Sequence, residues 1–191
     1  MAERAVAAIR AGEPVILPTD TVYGLCATPE GAKVLSELKG REHAAPIALV
    51  CADVETLLEL VPEIPAVFVR AVFPGPYTLV FSNPAGRFPA LGGGDTIGVR
   101  VPVLPEATRV VLAAVGAVAA TSANRHGGVD PRRVDDVPEE IRAACGAVLD
   151  AGELPGVPST VVDLTGPEPR VLREGAVPAV EALRLVRCAA E

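Results

Sequence analysis

The sequence predicts an α/β fold, a twisted open mixed sheet flanked by helices, and three observations carry that expectation. Short apolar runs stand singly between helix-like segments almost throughout the chain, the pattern of layered α/β proteins. These runs are brief and many are flanked by proline, which favours mixed pairing over a long parallel sheet. No internal repeat is visible, and 191 residues that are 50% hydrophobic suffice for one core, so residues 1–191 are expected to form a single domain.

The elements follow in order. Residues 3–11, within MAERAVAAIRAGE, read as a short helix rather than a signal peptide. The apolar run 15–18 is the first strand, broken at Pro18, and Gly24 is expected to turn the chain back into the next segment. A helix at 31–38 leads to a strand at 47–51, and helices at 54–60 and 65–72 precede a strand at 78–81. Then come a strand at 97–101, a helix at 106–114, a strand at 117–120 and a helix at 138–145. Strands at 147–149, 161–164 and 170–172 and a helix at 180–188 complete the set.

Composition excludes several classes of function. The net charge of −7 argues against a surface that grips nucleic acid all over. Aromatic residues make up only 3%, too few for base-stacking platforms. Cys26, Cys51, Cys145 and Cys188 lie far apart with no CxxC pair and read as reduced packing thiols of a cytoplasmic protein. His43 and His126 sit in polar loops without carboxylates at a metal-ligand spacing, so no protein-held metal is expected. No apolar stretch approaches the roughly 20 residues that span a bilayer, so no membrane partner is expected. Phosphate-loop, dinucleotide, nucleophile-elbow and HExxH motifs are absent, and LGGGD (91–95) reads as a flexible turn.

The 19 prolines and 18 glycines gather at strand ends, in FPGPYT, ALGGGDT, RHGGVDP and GELPGVPST, usually beside a hydroxyl or an arginine. Ligands of open α/β sheets bind at strand ends, so function is expected in these loops. PTDTVYGL (18–25), KGR (39–41), TIGVRVP (96–102), TSAN (121–124), PSTVVDL (158–164) and RVLREGA (170–176) stand out together. Arg100 is the most telling residue. Val99 and Val101 face one side of their strand and Arg100 the other, where a guanidinium is either solvated or held against an anion. Taken singly, Lys39 and Arg41 could merely complement a helix dipole, and Ser122 and Asn124 could be a cap. Basic groups and hydroxyls together at strand ends suit a polyanion, with arginines apt for bidentate contacts to carboxylate or phosphate.

This ordered set, from about Ile16 to Ala176, resembles the YrdC/Sua5 family of threonylcarbamoyl-AMP synthases in its short, single-domain form. The resemblance implies a concave basic cavity and the ATP-dependent joining of L-threonine and bicarbonate or CO2 into threonylcarbamoyl-AMP, with release of pyrophosphate. The product would serve N6-threonylcarbamoyladenosine formation at tRNA position 37, by transfer to a tRNA-modifying complex, with direct tRNA contact an open matter. Mg2+ would accompany ATP. Threonine would meet Thr21, Tyr23, Arg100 and Ser159, with Arg100 on its carboxylate. ATP would meet Lys39, Arg41, Thr96, Ser122, Asn124 and Arg173, with Lys39 and Arg41 carrying the catalytic charge stabilisation. The chain departs from the family pattern at Glu42, Ala45, Val50, Asp130 and Pro158. Those departures leave two alternatives: a paralogue performing related carbamoyl-adenylate chemistry on another substrate, or a non-catalytic RNA-binding module.

Overall fold

The computed structural model describes residues 1–40 and 46–190. Nine strands form one sheet: β1 (Val15–Pro18), β2 (Tyr23–Ala27), β3 (Ala48–Cys51), β4 (Tyr77–Ser82), β5 (Thr96–Arg100), β6 (Ala117–Ser122), β7 (Ala147–Val148), β8 (Thr160–Asp163) and β9 (Arg170–Arg173). Their order is β7-β1-β2-β6-β3-β5-β4-β8-β9. The sheet is mixed as expected: β1/β7, β3/β5 and β4/β8 run parallel and the remaining neighbours antiparallel.

The helices are α1 (Ala2–Arg10), α2 (Lys33–Lys39), α3 (Val54–Leu60), α4 (Ala66–Val72), α5 (Glu106–Val115), α6 (Glu139–Ala143) and α7 (Ala179–Ala190). Every expected strand and helix appears, with ends shifted by a few residues. β2 is additional. The chain reverses over Thr19–Val22, not at Gly24, and β2 pairs back on β1 with Pro18 opposite Tyr23. Thr19 builds that turn. Its hydroxyl donates to the Val22 carbonyl at 2.7 Å and accepts the backbone N–H groups of Thr21 and Val22, both at 3.2 Å. Pro18 cannot donate to a ladder, but its carbonyl accepts the buried Thr108 hydroxyl of α5 at 2.7 Å.

The two faces of the sheet are finished differently. On one, Tyr23, Leu25, Leu49, Leu79, Val99 and Val162 join a large apolar core with Leu35, Leu57, Val69 and Val186 from α2, α3, α4 and α7. On the other, Val15, Leu17, Cys26, Val50 and Val118 pack beneath Ala5, Ile9, Val111 and Leu112 of α1 and α5. That second cover is partial, and where it stops the face opens into a cavity. Among the described residues no helix is long and apolar enough to cross a membrane.

Candidate functional site

The cavity holds about 350 Å3 and lies over seven strands. Thr19, Thr21, Val22 and Gly24 come from the β1–β2 hairpin; Ala48 and Val50 from β3; Thr78 and Val80 from β4. Thr96, Gly98 and Arg100 of β5, Ala120 to Ser122 of β6, Ser159 and Val161 at β8, and Leu172 and Arg173 of β9 line it too, with Pro46, Ile47 and Pro158 completing the wall. Along β3, β4 and β5 the lining residues alternate, because only one side of a pleated strand meets the cavity. Hydroxyls and guanidinium groups therefore ring a floor of small apolar side chains.

Arg100 is the more buried of the two arginines that line the cavity, 8% exposed. Its Nη2 donates to Thr21 Oγ1 at 2.9 Å and to Asp20 Oδ1, forming a salt bridge. Its Nε is buried without a hydrogen-bond partner. Burial pulls the guanidinium's pKa down; the Asp20 carboxylate opposes this, while Arg173 adds to it as a like charge. Burial raises the pKa of Asp20 against the pull of Arg100.

The far wall is built around Ser159. Its hydroxyl lies 2.8 Å from Thr78 Oγ1, and its carbonyl accepts Arg173 Nη2 at 2.9 Å and Nε at 3.2 Å. Arg173 Nη2 also reaches Ser159 Oγ at 3.2 Å. Arg173 thus approaches the cavity from an exposed edge strand, held by neutral oxygens. Thr96 Oγ1 donates to the Gly93 carbonyl at 2.9 Å, and Ser122 Oγ to Asn124 Oδ1 at 2.8 Å.

Of the residues singled out from sequence, Thr21, Thr96, Arg100, Ser122, Ser159 and Arg173 line the cavity together. Lys39 and Asn124 stand behind it. Gly40 closes α2 in the left-handed conformation at φ 63°. The buried Lys39 ammonium then donates to the carbonyls of Ser122 and Asn124 at 2.5 and 2.6 Å and to Asn124 Oδ1 at 2.6 Å. Asn124 Nδ2 donates to the Gly128 carbonyl at 2.6 Å and to Asp130 at 3.2 Å. The two residues lock the TSAN loop and so aim Ser122.

The expectation for Tyr23 needs correcting. It is fully buried on the opposite face, where its hydroxyl bonds Asp150 Oδ1 at 2.9 Å, the Gly152 carbonyl at 2.7 Å and the Ala151 N–H at 3.0 Å. The cause is parity: Gly24 faces the cavity, so its strand neighbour Tyr23 cannot. Arg41 lies outside the described residues, as do Glu42 and Ala45. Of the departures, Val50 and Pro158 line the cavity, and Asp130 pairs with Asn124 rather than facing it. Asp20 is the residue the sequence reading missed. The signal was the arginine in an apolar strand, which demands a buried anion, and PTDTVYGL holds a candidate carboxylate.

A mixed sheet whose face opens into a cavity lined by hydroxyls and two arginines is an arrangement suited to small anionic ligands. Residues 7–175 match the Sua5/YciO/YrdC family model, described as "Telomere recombination", and the chain belongs to that family. It is 36% identical over 187 residues to a threonylcarbamoyl-AMP synthase of Pyrococcus abyssi, an alignment covering 93% of this chain and 55% of that protein. The chain therefore spans about half the length of that relative. A putative threonylcarbamoyl-AMP synthase of Mycobacterium tuberculosis is 35% identical over 181 residues, covering 91% of this chain and 83% of that one. Among solved structures, P. abyssi Sua5 complexed with L-threonine superposes with a TM-score of 0.87 at 34% identity, covering 96% of this chain and 56% of that chain. E. coli YciO does so with 0.73 at 25% identity, covering 93% and 90%.

Proposed function

We propose that the protein makes threonylcarbamoyl-AMP from L-threonine, bicarbonate or CO2, and ATP, releasing pyrophosphate, and that this product supplies N6-threonylcarbamoyladenosine formation at tRNA position 37. The observation that carries the reading is one cavity lined by two guanidinium groups, those of Arg100 and Arg173, among hydroxyls, in a chain related to named synthases. Arg100, with Thr21 beside it, receives the amino acid's carboxylate, and Ser159 helps to orient the ligand. Thr96, Ser122 and Arg173 receive the nucleotide and its phosphates, while Lys39 holds the loop that presents Ser122. Arg41 is assigned to ATP by the family pattern.

The threonine amine attacks CO2 to give a carbamate and a proton. A carbamate oxygen then attacks the α-phosphorus of ATP and pyrophosphate leaves, so no protein nucleophile is consumed. The chain contributes positioning and cationic stabilisation of the charge that develops on the leaving group. The described residues contain no cluster of three histidine, cysteine or carboxylate side chains able to hold a metal. Mg2+ would enter with the nucleotide as its counter-ion and would supply charge neutralisation there.

The test is pyrophosphate release from ATP and Mg2+ with L-threonine and bicarbonate supplied together or singly. Release that requires both supports the proposal; release indifferent to threonine contradicts it. Val50 on the cavity floor favours, as a second reading, a paralogue that accepts a different amine. Release with another amino acid but none with threonine selects that reading.

A further inference from the structure

Asp20 has no part in the chemistry outlined above, yet it touches the group that chemistry depends on. It sits at the tip of the β1–β2 turn with its side chain 12% exposed, against 10% for the Arg100 side chain that it pairs with. The pair is only half used. Oδ1 takes Nη2, whereas Asp20 Oδ2 and Arg100 Nε are both buried with no hydrogen-bond partner. Both atoms are shut off from solvent, so what the cavity meets at Arg100 is a nearly neutral ion pair rather than a bare guanidinium.

We propose that Asp20 makes the Arg100 site selective for α-amino acids over simple carboxylates and phosphates. This inference rests on the reading that Arg100 receives the amino acid's carboxylate. Alone at the floor of the cavity, Arg100 would attract any anion, including the triphosphate that the same cavity is to hold. With Asp20 on its Nη2, the pair is close to neutral, and an arriving anion meets a carboxylate as well as a guanidinium. A zwitterion escapes that penalty. Its ammonium is one carbon from its carboxylate, so a ligand docked on Arg100 carries a positive charge to Asp20. The triphosphate, which brings no cation of this kind, is left to Arg173, which among the described residues is held by the neutral oxygens of Ser159.

A purely structural Asp20, present only as counter-ion to Arg100, would make a different prediction, and one substitution separates the two. Asp20→Asn keeps an oxygen for Arg100 Nη2 and removes the charge. Calorimetric titrations of the full chain with L-threonine and with 3-hydroxybutanoate, the same molecule without the amine, read the selectivity directly. In the wild type threonine should bind and 3-hydroxybutanoate should bind far more weakly. In Asp20→Asn threonine should weaken by about tenfold and 3-hydroxybutanoate should tighten by about as much, since a like charge has been removed from its site. Equal weakening of both ligands in the variant overturns the proposal. So does a wild type that binds the two equally, a result that stands even if the variant fails to fold. A wild type that binds neither sinks the threonine reading itself and this inference with it, whereas threonine binding with an unchanged preference in the variant sinks this inference alone.

Discussion

The same strands present two chemistries, one on each side of the sheet. Tyr23, Leu25, Leu79, Val99, Thr160 and Val162 face a core covered by helices, and each is buried. Gly24, Thr78, Gly98, Arg100, Ser159 and Val161, their neighbours in sequence, face the cavity. On the closed face the buried hydroxyls of Tyr23 and Thr160 have found protein partners. Tyr23 bonds three groups of the 150–152 loop, and Thr160 Oγ1 donates to the Val177 carbonyl at 2.6 Å while accepting the N–H groups of Val177 at 3.0 Å and Gly175 at 3.1 Å. The cavity face keeps hydroxyls and guanidinium groups within reach of a ligand. Stability and binding have thus been assigned to alternate residues, and substitutions on the two parities should fail in different ways.

The largest effect is expected on the closed face. Thr160→Val preserves the shape of the side chain but strips two buried N–H groups of their acceptor, at about 1–3 kcal/mol each. Chemical denaturation should show a loss of about 2–5 kcal/mol, with substrate KM little changed in the protein that remains folded. A loss below measurement would mean that the closed face tolerates unmet polar groups and that the contrast is misplaced. The smallest stability effect is expected two residues from Arg100. A methyl group on Gly98 would meet only Thr78 Cγ2, at 3.5 Å, an ordinary contact. Gly98→Ala should change stability by no more than about 0.5 kcal/mol, yet raise substrate KM severalfold by filling the cavity floor. Unchanged KM would remove β5 from the binding surface.

How much of this was legible in the sequence follows the same parity. Apolar runs bounded by proline and glycine marked eight strands, because burial on one or both faces leaves a continuous signal. Tyr23–Ala27 escaped because it follows a four-residue turn crowded with hydroxyls and carries a glycine, so it reads as a loop. Missing β2 misplaced Tyr23, since the face a residue takes is known only once its strand is known. Arg100 could be read from its apolar neighbours. Asp20 could not be chosen as its partner, because 80 residues separate the two and only the β1–β2 turn brings them together. Lys39 and Asn124 were recognised as parts of the site by motif, but their support of the TSAN loop from behind is a tertiary arrangement that no local pattern encodes.

The central claim is that one cavity holds an amino acid at Arg100 and a nucleotide at Arg173. Steady-state pyrophosphate release, with KM measured separately for L-threonine and ATP in Arg100→Lys and Arg173→Gln, tests it most directly. The account predicts a crossed result: about tenfold or more on the threonine KM in the first variant, and on the ATP KM in the second, each leaving the other constant nearly unmoved. Both variants shifting the same KM, or Arg100→Lys affecting ATP alone, would contradict it.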